Sequence, residues 1–153
     1  MRDIKFRAWN KGEKRMYFNV QDAYDMLHCH NVEYSDERNC GCSALDHVFS
    51  PSSFGEVLGD KDYEVMQYTG LKDSKGKEIY EGDIVKTFYF YDPGFPPREE
   101  VSSVFFDSGI FCRRTKSGNL QSFVQQVDDM KILGNIYENP ELLKGELVGA
   151  RLD

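Results

Sequence analysis

The most reactive side chains gather early in the chain, with His28, Cys29 and His30 in "HCH", Cys40 and Cys42 in "CGC", and His47 beyond them. Thiolates and neutral imidazoles are the ligands zinc prefers, and this stretch is otherwise turn-rich. The spacing argues against a metal centre. Structural zinc sites usually separate paired cysteines by about two to four residues and paired histidines by about three to five, whereas one residue intervenes in each pair here. The expectation is therefore reduced thiols, with no metal and no cofactor. Cys112, among apolar neighbours, reads as a small core residue.

Other reactive chemistry is less well formed. A Cys–His nucleophilic pair exists in composition, but neither an orienting third group nor a nucleophile elbow accompanies it. The carboxylates Asp36, Glu37, Glu81, Asp83, Glu99, Glu100, Asp128 and Asp129 stand mostly beside turns, where solvation explains them. No catalytic residues emerge, and the chain is expected not to be an enzyme.

Two sets of residues could instead bind a partner. The first lies in "FYFYDPGFPPRE", residues 88–99. On a strand with period two, Phe88 and Phe90 face one way and Tyr89 and Tyr91 the other, so that the tyrosines face out if the phenylalanines enter the barrel, and Phe95 follows in a Pro-rich loop too long for a tight hairpin. Tyr89, Tyr91 and Phe95 thus form a candidate surface for a protein or peptide, or for a second copy of the chain; the competing reading packs them under the N-terminal residues. The second set is Lys5, Arg7 and Trp9, with Lys11, Lys14 and Arg15 nearby. Trp9 could stack on bases while the cations hold phosphates, the alternative of a single-stranded nucleic-acid binder. A net charge of −7 ranks that alternative second, because the averaged field repels phosphate.

These side chains need elements to position them. The chain has 153 residues, with eleven Phe and nine Tyr, enough apolar mass for an ordered core. "IKFRAWNKGEKRMYFN" alternates, turns at Lys11-Gly12 and alternates again, which predicts a β-hairpin. Val20, Ala23, Tyr24 and Leu27 switch to a helical period, with Asn19 as N-cap. Residues 31–62 hold no sustained period and read as a loop-rich insert. Beyond it, short β-rich runs at 63–68, 84–91, 99–106, 110–114, 121–127 and 130–137 are separated by turns too brief for crossover helices. They predict an antiparallel meander closing as a small barrel. The stretch "DSKGKEIYEGDIVK" reads as a structural corner, with Gly76 and Gly82 supplying positive φ and Asp73 and Asp83 tying the turns. Asn139, Pro140 and Glu141 open a short terminal helix that packs Leu142 or Leu143 on the barrel. The organisation expected is residues 1–62 as hairpin, helix and insert, and residues 63–153 as barrel and terminal helix. No apolar run reaches the roughly 20 residues that span a bilayer, and the charged N-terminus lacks the core of a signal peptide. A cytoplasmic protein without a membrane partner is expected.

"IKFRAWNKGEKRM", "MQYTGLKDSKGKEIYEGDIVK" and "ILGNIYENPELL" resemble, in that order, the motifs of the YopX family of phage and prophage proteins. The three cover about a third of the chain, and the segment between Phe18 and Tyr63 has no counterpart. The resemblance implies a mainly β protein, a C-terminal SH3-like barrel with an N-terminal extension, and no established activity or catalytic residues to carry over. It places the protein in a bacterial host.

Overall fold

The computed structural model describes residues 3–22, 33–34, 53–89, 98–123 and 130–144. Among the described residues the protein is mainly β, built of antiparallel strands with one short α-helix. It divides into two compact units, Met1–Gly70 and Leu71–Asp153, whereas the composition break lies at Asp62.

The first unit begins with β1 (Phe6–Asn10) and β2 (Arg15–Phe18), a hairpin registered from Arg7↔Phe18 to Asn10↔Arg15. Its turn closes because the Asn10 side-chain oxygen accepts the Glu13 N–H at 2.9 Å, an Asx-type bond that holds the reversal. Next come β3 (Glu33–Tyr34), which pairs with β2, and helix α1 (Phe54–Gly59). β4 (Tyr63–Lys72) then pairs along the other side of β1, from Phe6↔Gln67 to Asn10↔Tyr63. Alternate residues of β1 therefore meet two surroundings. Phe6 and Ala8 join Tyr17, Val20, Val57 and Tyr63 in one core, where the Phe6 and Phe54 rings lie 4.9 Å apart. Arg7 and Trp9 lie on the opposite face beside their cross-strand partners Met66 and Met16, and all four are buried.

The second unit opens on the corner. Gly76 has φ 83° and donates its N–H to the Asp73 carbonyl at 2.9 Å. One Asp73 carboxylate oxygen accepts the N–H groups of Lys75 and Lys77, each at 2.9 Å. The other accepts from Ile132 at 3.3 Å. β5 (Glu78–Tyr80) follows, then a second turn in which Gly82 has φ 79° and the Asp83 carboxylate accepts the buried Tyr80 N–H at 2.8 Å. Gly82 also donates to the Val104 carbonyl and accepts from the Ile136 N–H. Asp73 gives both carboxylate oxygens, and Asp83 one, to backbone N–H groups, the bonding of a structural corner.

From that corner run β6 (Asp83–Tyr89), β7 (Arg98–Asp107), β8 (Ile110–Thr115), β9 (Leu120–Ser122) and β10 (Met130–Asn135). They make a curled sheet in the order β10-β6-β7-β8-β9, while the other sheet runs β3-β2-β1-β4-β5. The β7–β8 turn has Ser108 at φ 50° and Gly109 at φ 86°, and two left-handed residues match the twist of the flanking strands. Ile79, Val85, Val104, Phe123 and Met130 form the core on the inner face.

Several expectations change on contact with the structure. The insert, read as loop, contains α1, whose Ser53 hydroxyl accepts the Glu56 N–H at 3.3 Å; Ser53-x-x-Glu56 is the capping-box spacing. From Val20 only a 3-10 turn, Val20–Asp22, is described, and Asn19 before it has φ 56°. Residues 23–32 lie outside the described residues. β5 was not foreseen, being three residues long. The terminal helix is a 3-10 helix, Pro140–Leu143, lying against β7 and β10 with Leu142 and Leu143 half-buried. Asn139 makes no capping bond. Its side chain instead fills the space that Gly134 leaves open, where a Cβ would lie 2.2 Å from the amide oxygen.

Candidate functional site

Residues directly opposite one another in an antiparallel sheet share a face, so register decides what the second sheet shows away from its core. Val85, Val104, Phe111, Met130 and Ile132 face inward. The alternate positions Lys86, Phe88, Phe105, Ile110, Cys112, Arg114, Leu120 and Lys131 face outward. In β8 the sequence Ile-Phe-Cys-Arg-Arg-Thr sends Ile110, Cys112 and Arg114 out by simple alternation. Ile110 is 53% exposed, and Leu120, directly opposite Arg114, is 58% exposed. Arg114 holds its guanidinium 4.8 Å from the centroid of the Phe105 ring. Lys86 stands 5.4 Å from the Phe88 ring and pairs with Glu99. On this face Lys86, Arg114 and Lys131 stand against the carboxylates Glu99 and Asp107, Asp107 lying directly opposite Ile110, although the chain as a whole is acidic.

The inward face is divided in character. Beside its apolar core, Arg113 is buried at 2% exposure and donates to the Thr87 hydroxyl at 2.6 Å and the Gln121 carbonyl at 3.1 Å. Gln121 passes the link on, donating to the Glu100 carboxylate at 3.0 Å. A guanidinium thus connects to a carboxylate through one amide. Such a network ties β6, β7, β8 and β9 to one another at a fixed register rather than presenting reactive groups.

Two phenols in the first unit are perturbed. Tyr17 is pushed well above the ordinary phenol range by burial and by its hydrogen bond to the Glu13 carboxylate. Tyr63 is raised chiefly by burial, with Glu13, Asp60 and Asp62 adding to it against a bond from Asn10. Both stay protonated at neutral pH, a state suited to packing and not to proton abstraction.

The residues singled out from sequence fall in different places. Tyr89 ends β6 opposite Arg98, while Tyr91 and Phe95 lie outside the described residues. Phe88 lies on the outward face, so the arrangement in which it enters the barrel does not hold. Lys5 is half-buried with its ammonium 5.8 Å from the Tyr68 ring. Arg7 and Trp9 are 3% and 8% exposed. A base stacks on a bare ring face, and most of the Trp9 surface is covered. His28, Cys29, His30, Cys40, Cys42 and His47 lie outside the described residues. Among the described residues no cluster of His, Cys, Asp and Glu could hold a metal ion, and no helix is long and apolar enough to cross a membrane. Cys112, expected in the core, is a half-buried free thiol on the outward face. The apolar neighbours of Cys112 along the chain pointed to the core and hid that face, although the alternation of Ile110, Cys112 and Arg114 could have exposed it.

A family model described as YopX protein matches residues 5–144. The crystal structure of protein EF1440 from Enterococcus faecalis superposes with a TM-score of 0.53 at 26% identity, covering 92% of this chain and 98% of that one. The crystal structure of protein yopX from Bacillus subtilis gives a TM-score of 0.44 at 16% identity, covering 93% of this chain and 98% of that one. No curated protein matches the chain. By the extent of the family match, the chain belongs to the YopX family.

Proposed function

We propose that this YopX-family chain is a non-enzymatic interaction module of a phage or prophage, working in the cytoplasm of the bacterial host and binding another protein or a second copy of itself. One observation carries the reading. Ile110 and Leu120 stand more than half exposed on neighbouring strands, with Cys112 and Arg114 of β8 and Phe105 of the adjoining β7 on the same face. Scattered surface aliphatics are ordinary, but a contiguous apolar face around a placed arginine has the composition of an interface centre. The aromatic segment carrying Tyr89, Tyr91 and Phe95 is a second candidate surface for the same role. Tyr17 and Tyr63 are held protonated, and Asp73 and Asp83 accept from backbone N–H groups of the corner, which supports a structural over a catalytic use of them.

Site-specific photo-crosslinking in host cells separates the surfaces. A photoreactive residue at Leu120 is expected to capture a discrete partner or a second copy, and one at exposed Lys77 is not. Capture from position 95 and not from 120 would move the interface to the aromatic loop. Capture from neither, with the purified chain monomeric, would refute the interaction reading.

A further inference from the structure

We infer that the outward face around Arg114 docks an acidic, aliphatic protein segment, one in which a carboxylate side chain stands beside a branched apolar one. The inference rests on the reading of the chain as an interaction module and names the partner chemistry of its outward face. Arg114 is exposed, yet its guanidinium is held over the Phe105 ring at 4.8 Å. Among the described residues it makes no hydrogen bond or ion pair. Lys86, by contrast, is already paired with Glu99. A guanidinium resting one face on a ring keeps its N–H edge turned outward, in the fork that fits a carboxylate with two parallel bonds. Because the ring contact already restricts the side chain, less freedom is lost when the pair forms.

The flanking residues decide between anionic partners. Leu120 lies directly opposite Arg114 and Ile110 lies further along the same face of β8, both more than half exposed. Branched aliphatics gain by covering another apolar side chain and offer no flat surface on which a base could stack. The two rings on this face, Phe88 and Phe105, each already carry a cation. A nucleic acid would meet the charges and leave the aliphatics unused, whereas an acidic segment with Leu, Ile or Val between its carboxylates would use both. Lys86 is offset by its partner Glu99 and Asp107 stands opposite Ile110, so the attraction for a carboxylate is centred on Arg114, which repels a basic side chain beside Leu120 and attracts an acidic one.

Fluorescence anisotropy on the full chain tests this with labelled peptides that share the same Leu and Ile positions and carry Glu, Ser or Lys between them, alongside an oligothymidylate of matching length. The Glu peptide is expected to bind at least about tenfold more tightly than the Ser peptide, and the Lys peptide least. Arg114→Gln should abolish the preference for Glu over Ser while leaving binding of the Ser peptide in place. Leu120→Ser should weaken both. Each change is on an exposed side chain, and circular dichroism confirms that the variants fold. Equal affinity for the Glu and Ser peptides, still weakened by Leu120→Ser, would overturn the acidic partner and leave the interaction reading standing. Tighter binding of the oligothymidylate overturns the protein partner. Binding of no peptide overturns the inference, while the interaction reading stands or falls on the crosslink from Leu120.

Discussion

Removing the Asp73 carboxylate should loosen the corner at the entrance to the curled sheet by an amount that depends on pH. Three backbone N–H groups lose an acceptor in Asp73→Ala: those of Lys75 and Lys77 at 2.9 Å and that of Ile132 at 3.3 Å. The two lysines are exposed, so water recovers much of their loss. Ile132 is half-buried and in β10, where water replaces the carboxylate poorly. Charge-assisted bonds of this kind are worth roughly 1.5 to 3 kcal/mol each, less where solvent can return, which gives about 3 kcal/mol in all for Asp73→Ala. Asp73→Asn keeps an oxygen for the turn but sets an amide N–H against that of Ile132, for a loss of about 1.5 kcal/mol. Burial alone would raise the pKa of this carboxyl, but the bonds from Lys77, Ile132 and Lys75, with the Lys77 charge, outweigh it and hold the value below ordinary. The folded chain therefore holds that proton less tightly than the unfolded chain. The stabilisation is complete above the ordinary carboxylate pKa of about 3.9 and fades as pH falls through the lower folded value. Urea unfolding of wild type and Asp73→Asn across this range checks both parts, because the difference between them cancels every other titrating group. Equal stability at neutral pH, or a gap that stays constant into strong acid, would show that the carboxylate does not hold the corner.

The remaining expectations concern single contacts. Asp83→Ala should cost about 2 to 3 kcal/mol, since the Tyr80 N–H is left buried without that acceptor; an undiminished melting temperature would contradict it. Gly134→Ala should cost about 1 to 3 kcal/mol by overpacking against Asn139, and Asn139→Gly in the same chain should recover part of that loss, which a double-mutant cycle measures. Trp9 should resist acrylamide quenching and show no emission change with oligonucleotides, because it is buried; a salt-sensitive change would revive the nucleic-acid alternative. Protein purified without added metal should contain well below one equivalent of zinc by elemental analysis, with chelator leaving thermal unfolding unchanged; stoichiometric zinc would make the Cys/His segment a metal site.

Local pattern was enough for the elements whose physics is local. The hairpin at Lys11-Gly12, the tied turns at Asp73 and Asp83, and the run of antiparallel strands follow from alternation, from glycines at positive φ, and from short polar side chains that bond nearby backbone. The capping box at Ser53 was equally local and went unread inside a segment judged loop-rich. Which face of a strand is buried is a different kind of fact. Alternation separates Arg7 and Trp9 from Phe6 and Ala8, yet both sets are largely covered, which a pattern of period two along one strand does not tell. In β8 the same alternation put Arg113 inward, bonded to Thr87 and Gln121, and Arg114 outward over Phe105. Two adjacent arginines, indistinguishable by type or neighbourhood along the chain, thus become a buried strut and an exposed contact. Only pairing with strands distant in sequence could decide that, since a one-residue shift in register would exchange their roles.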